Sequence, residues 1–121
     1  MAEGALWGHL ILVVIDDTTV AAQLAAALAD ADVVVTDQAR GAIMAERPFL
    51  SAAVLGSSSA SRESRAIVRR LRERNVPFVI FGTQPPDATI FDGAPFISSA
   101  APADDVVTAL AFLISVQRPR L

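Results

Sequence analysis

The sequence has no cysteine, no lysine and no tyrosine, and only one histidine and one tryptophan. Without cysteine there is no disulfide, no thiolate metal site and no sulfur nucleophile. Without lysine there is no Schiff-base chemistry and no ammonium to neutralise a transferred group, so all ten cations are arginines. Long uncharged apolar runs are also missing. None approaches the ~18 residues a membrane span needs, and the first, His9 to Ile15, stops at Asp16-Asp17. Met1-Ala2-Glu3-Gly4 lacks the basic segment of a secretory signal, which makes the cytoplasm the expected location, with no membrane partner. A net charge of −3 gives no overall attraction to nucleic acid. What is plentiful is aliphatic: 53% of 121 residues are hydrophobic and 19% charged. That suits one domain over 1–121, with a core from about 9 to 116.

The chain alternates short apolar runs with helical patterns. His9 to Ile15 is β-branched and aliphatic, as a buried strand requires. Asp16-Asp17-Thr18-Thr19 is a helix-start signal, and Val20, Leu24 and Leu28 then recur at four-residue spacing. Val33 to Thr36 reads as a second strand, and Asp37 as the cap of a helix reaching about Arg47 before Pro48 ends it. Leu50 to Leu55 is the third strand. A helix from Ser61 to about Arg74 carries an apolar stripe of Ile67, Val68 and Leu71, and Asn75 terminates it in a left-handed conformation. Val76 to Phe81 is the fourth strand, with Pro77 at its start. Gly82 to Gly93 holds at most one irregular helical turn around Ala88 to Phe91, so a fourth helix is short or absent. Ala94 to Ser98 is the fifth strand, and Pro102-Ala103-Asp104-Asp105 opens a last helix with Val106, Leu110, Leu113 and Ile114 on its apolar face. Gln117 to Leu121 is a polar tail. Strands separated by crossovers of this length predict a parallel α/β sheet.

In such sheets function gathers outside the carboxyl ends of the central strands. Here the third strand ends in Gly56-Ser57-Ser58-Ser59, a tip without carboxylate, thiol or imidazole. Ser57, Ser58 and Ser59 can cradle an anion or simply make a turn. Asp16 and Asp17 read either as helix caps or as the remnant of a cation site, capping being the simpler. His9 falls at the amino edge of the first strand, away from the serines, so no Ser–His–Asp arrangement is expected and no enzyme activity is predicted. The helix from Ser61 to Arg74 carries six arginines against two glutamates, net +4. Arg62, Arg65, Arg69 and Arg72 on it form either a solvated face or a dock for an acidic partner. Nucleic acid is not expected there, since no aromatic is interleaved. Trp7 and Phe112 suit either a core or a contact surface.

Leu12-Val13-Val14-Ile15-Asp16-Asp17, Arg47-Pro48 before the third strand, Asn75-Val76-Pro77-Phe78-Val79-Ile80-Phe81, Pro95-Phe96-Ile97 and the stretch Pro102 to Leu110 together resemble a response-regulator receiver domain of the CheY-like superfamily. The resemblance covers about His9 to Val116 and is nearest an alphaproteobacterial type that reads Pro-Phe-x-Phe-Ala-Thr-Gly-Tyr at the fourth strand. It implies a three-layer, doubly wound, flavodoxin/CheY-like fold with strand order 2-1-3-4-5. Receivers hold Mg²⁺ and a phosphoryl group with two acids after the first strand, an Asp ending the third, a Thr or Ser ending the fourth and a Lys ending the fifth. Those positions fall here on Ile15 and Asp16, on Gly56, on Gly82 and on Ser99, while the switch aromatic falls on Phe96. No Asp occurs between Gln38 and Pro86 and no Lys anywhere, so no register restores the set. The resemblance therefore implies a degenerate, non-phosphorylatable receiver without metal or cofactor. Its role would be that of a protein-interaction adaptor beside a histidine kinase, phosphotransferase or regulator, with homodimer pairing through the last strands and last helix. The alternative is a small-molecule or anion sensor using the emptied carboxyl-end pocket.

Overall fold

A computed structural model of the chain describes residues 6–56, 62–83, 91 and 93–117. Strands β1 (Leu10–Val14), β2 (Asp32–Thr36), β3 (Leu50–Gly56), β4 (Phe78–Gly82) and β5 (Phe96–Ser98) form one sheet in the order β2-β1-β3-β4-β5, and every neighbouring pair is parallel. Helices α1 (Thr18–Ala27), α2 (Gln38–Met44), α3 (Arg62–Glu73) and α4 (Asp104–Gln117) connect and cover it. This is the expected three-layer, doubly wound α/β fold.

The two-residue period of the strands divides the core. Ile11, Val13 and Ile15 point into a cluster with Ala52, Val54 and Val79, closed by Leu24 and Leu28 at α1 and by Val106 and Leu110 of α4. Leu12 and Val14 point into the other cluster, with Leu55, Phe78 and Ile80, closed by Ile67, Val68 and Leu71 of α3. Burying each such side chain contributes about 1.5–3 kcal/mol, so neither face can be left open to water. The caps follow the sequence signals: Asp17 Oδ1 accepts from the amides of Thr19 and Val20 at 2.9 and 3.1 Å, and Asp37 Oδ1 accepts from Arg40 at 3.1 Å. Asn75 ends α3 at φ 57°, as expected of a left-handed terminator.

Several boundaries differ from the sequence pattern. Helix α2 stops at Met44, not near Arg47, because Glu46 and Arg47 turn through short bonds to Ile43 and Met44. Arg74 Nη1 holds that turn, donating to the carbonyls of Ala45 and Arg47 at 2.7 and 2.8 Å. Strand β4 begins at Phe78 rather than Val76: Pro77 accepts from the Ala53 amide at 3.0 Å but has no N–H to return. Strand β5 is only Phe96–Ser98, although the Pro95 carbonyl still accepts from Ile80 at 2.8 Å. The expected start of α3 at Ser61, the irregular turn at Ala88 to Ile90 and the tail beyond Gln117 lie outside the described residues.

Helices α2 and α3 approach each other at Gly41. A Cβ there would lie 2.4 Å from Ile67 Cδ1, 2.9 Å from Ile67 Cγ1 and 3.2 Å from Val14 Cγ1. Gly41→Ala is therefore expected to destabilise the fold by about 1 kcal/mol. Overpacking, which costs about 1–3 kcal/mol, outweighs a helix-propensity gain of up to about 1 kcal/mol. Urea unfolding checks this, and a more stable variant would show that Ile67 repacks freely.

Candidate functional site

The carboxyl end of the sheet is where the chain was expected to act. The ladder sets Val14 opposite Leu55, Gly56 opposite Phe81 and Gly82 opposite Ser98. Ile15, just beyond β1, is buried, and its Cγ1 would touch a Cβ at Gly56 at 3.8 Å, while the Val14 carbonyl would touch it at 3.7 Å. Among the described residues, the buried Ile15 thus stands beside Gly56 at the ends of the two central strands. Gly56 has no positive φ and no close contact that would demand glycine. Beneath it, Val14, Leu55, Ser64, Ile67 and Phe91 enclose a cavity of about 10 Å³, room for one water at most.

Asp16 and Asp17 are both exposed, and Asp17 is held against the first turn of α1 by the two amides it caps. Ser99 lies in an exposed turn after β5, its amide donating to the Gly82 carbonyl at 2.8 Å. Phe96 is half-buried opposite Ile80 and packs on the α3-side cluster. The structure therefore brings Ile15 to Gly56 and Gly82 to Ser99, with Phe96 below. Ser57, Ser58 and Ser59 lie outside the described residues.

A hard divalent cation needs several carboxylate or carbonyl oxygens converging on one point. Ile15 and Gly56, where the resemblance would place two of the carboxylates, supply no oxygen ligand from a side chain, and among the described residues no three His, Asp or Glu side chains gather. Among the described residues the donor set does not fit Mg²⁺. A wider carboxyl-end cleft of about 470 Å³ opens instead between α1 and the end of β2, lined by Asp16, Thr18, Ala22, Val35 and Asp37. Two carboxylates and no cation make it unsuited to an anion.

Two features escaped the sequence reading. His9 Nδ1 shares a 2.9 Å hydrogen bond with Ser51 Oγ at the amino end of the sheet, where Ser51 is the extra residue of a register shift between β1 and β3. Ser64 of α3 is buried beside Ile67 and Leu71. The arginines of α3 sort by face. Arg70 pairs with Glu46, and Arg72 lies 5.4 Å over the Phe78 ring. Arg62, Arg65 and Arg69 are exposed and continue the Arg72 row at helical spacing. Trp7 (69% exposed) and Phe112 (64%) are surface residues, not core.

No protein-family model matches the chain, and no curated protein does. Solved structures do. A response regulator receiver protein from Sinorhizobium medicae superposes with a TM-score of 0.71 at 18% identity, covering 92% of this chain and 98% of that one. A CheY-like receiver domain protein from Methanospirillum hungatei gives 0.69 at 15% identity, covering 93% and 98%. The receiver domain of a Francisella response regulator gives 0.69 at 14%, covering 92% and 100%. The fold is that of response-regulator receivers. Identities this low establish the receiver architecture alone, and in it the buried Ile15 stands beside Gly56 at the carboxyl end of the two central strands.

Because Asp17 works as a cap, Asp17→Ala is expected to cost about 1 kcal/mol of stability whether or not Mg²⁺ is present, and Asp17→Asn a few tenths at most. Millimolar Mg²⁺ is expected to leave the parent unfolding midpoint unchanged, whereas a site filled at a hundred times its Kd would add about 2.7 kcal/mol. Urea titrations with and without Mg²⁺ measure both. A Mg²⁺-dependent rise lost in Asp16→Ala would restore a metal site.

Proposed function

We propose that the chain is a non-phosphorylatable receiver that works as a protein-interaction adaptor in two-component signalling, not as an enzyme. The observation that carries this reading is the placement of buried Ile15 beside Gly56 at the carboxyl ends of β1 and β3. In a phosphorylatable receiver the same place holds a metal-binding acid and the attacking carboxylate. Gly82 stands in for the hydroxyl residue and Ser99 for the lysine, so neither the attacking carboxylate nor the lysine counter-cation stands at its position. With the switch chemistry gone, what the fold retains is surface. Arg62, Arg65, Arg69 and Arg72 line one flank of α3 and suit an acidic partner, a histidine kinase, phosphotransferase or regulator. Phe112 and Val116, 64% and 61% exposed on α4, suit pairing through the last strands and last helix.

Two experiments test the proposal. Incubation with acetyl phosphate and Mg²⁺ is expected to leave the intact mass unchanged. Gly56→Asp, whose Cβ meets only ordinary contacts, is expected to fold normally yet to gain at most a trace of phosphate, because Ile15, Gly82 and Ser99 remain. An acid-stable phosphate on Ser57, Ser58 or Ser59 would overturn the adaptor reading and make the serine loop a phosphoacceptor.

For the partner surface, reversing Arg65 and Arg69 to Glu is expected to weaken binding to the partner kinase or phosphotransferase about tenfold, chiefly through association rate. The unfolding midpoint should hold, since exposed charges contribute little to stability. Unchanged affinity would return that face of α3 to solvent.

A further inference from the structure

The amino end of the sheet, remote from the site above, presents two exposed aromatics, Trp7 at 69% and Phe49 at 90%. Both are held in place by the fold. Leu6 is buried, and its carbonyl accepts from the His9 amide at 3.0 Å, closing a turn with Trp7 at its tip and Gly8 at φ 82°. Phe49 follows the turn that Arg74 clamps through the Ala45 and Arg47 carbonyls, and its own φ is 65°. A left-handed backbone is strained for a bulky side chain, and the fold gains nothing from a phenyl ring left in water.

The neighbours of these aromatics carry opposite charges. Trp7 leads into β1 and Phe49 into β3, strands paired through Leu10 and Leu50. On the β2 side stand Asp30 and Asp32, exposed, with the Asp32 amide bonded to the His9 carbonyl at 2.9 Å. On the β4 side stands Arg72, exposed, over the ring of Phe78 at the start of that strand. In the sheet order β2, β1, β3, β4 this end therefore reads acidic, aromatic, aromatic, basic, with exposed Arg47 before Phe49 adding to the basic half and exposed Glu73 beside Arg72 offsetting part of it. A two-fold axis between β1 and β3, normal to the sheet, brings β1 over β3 and β2 over β4 of a second copy.

We propose that the amino end of the sheet is a self-complementary interface between two copies of this chain, with Trp7 of each against Phe49 of the other and Asp30 and Asp32 against Arg72. Two-fold pairing is the one arrangement that matches both the aromatic centre and the charged flanks at once. A uniformly acidic partner would meet Asp30 and Asp32, and a uniformly basic one would meet Arg72. The interface is separate from the pairing through α4, shares only Arg72 with the partner flank of α3, and stands whether or not the chain acts in phosphorelay signalling.

The single tryptophan and the lack of cysteine or tyrosine make Trp7 a clean reporter. Sedimentation and Trp7 emission, followed from micromolar to millimolar protein, are expected to show dimer formation with a blue shift of the emission. Phe49→Gly is expected to weaken the dimer about tenfold or more, to leave Trp7 wet, and to unfold at the same temperature or higher, because the backbone strain is relieved. A merely structural Phe49 would instead lower stability. Asp30→Arg with Asp32→Arg is expected to weaken the dimer, and adding Arg72→Asp to restore it. A monomer at millimolar concentration, or a dimer that survives Phe49→Gly with unshifted Trp7 emission, would overturn the proposal. The second result would place self-association on α4 and leave the adaptor reading intact.

Discussion

A parallel sheet whose strands are apolar on both faces must be covered on both, and the rest of this structure follows from that demand. Ile11 and Val13 need α1 and α4 above them, while Leu12 and Val14 need α2 and α3 below. The requirement is strict enough that α2 and α3 close over Val14 with no room for a methyl group at Gly41. With both faces sealed, the chain meets its surroundings at the two ends of the strands and on the outer sides of the helices.

On the adaptor proposal, hydrocarbon stands at the carboxyl end where a phosphorylatable receiver has its charged centre. Ile15 continues the upper core to the rim, and Gly56 closes the central strand without a side chain. On that proposal, Ile15 and Gly56 bring no charge whose neutralisation would favour one arrangement of the domain over another, so a ligand there lacks the differential interaction a switch requires. The adaptor proposal rests on that physical deficit.

The arginines illustrate how one residue type serves separate roles on a single helix. Arg70 and Arg74 turn towards α2, one to Glu46 and the other to the carbonyls of Ala45 and Arg47, and so fix the turn that presents Phe49. Arg72 covers Phe78. Arg62, Arg65 and Arg69 face outward. Planar guanidinium groups with several donors suit the first two roles better than an ammonium would.

The sequence by itself determined the fold, because the strands are continuous aliphatic runs, their spacing suits helical crossovers, and Asp17, Asp37 and Asn75 mark helix ends through local backbone chemistry. It also determined that no aspartate ends β3 and that the chain has no lysine. Boundaries at α2, β4 and β5 were less legible, since they depend on which carbonyls find distant partners, as those of Ala45 and Pro77 do. Only the tertiary structure decided that Trp7 and Phe112 are surface residues, since each is apolar and periodicity does not assign an isolated aromatic. The same holds for the six arginines, alike in sequence and divided by what α2 and β4 bring beside them. The His9–Ser51 bond joins residues 42 apart through a register shift, and the left-handed Phe49 is fixed by the clamp of Arg74. Local pattern records what a residue prefers, whereas these outcomes depend on which remote groups the closed sheet sets against it.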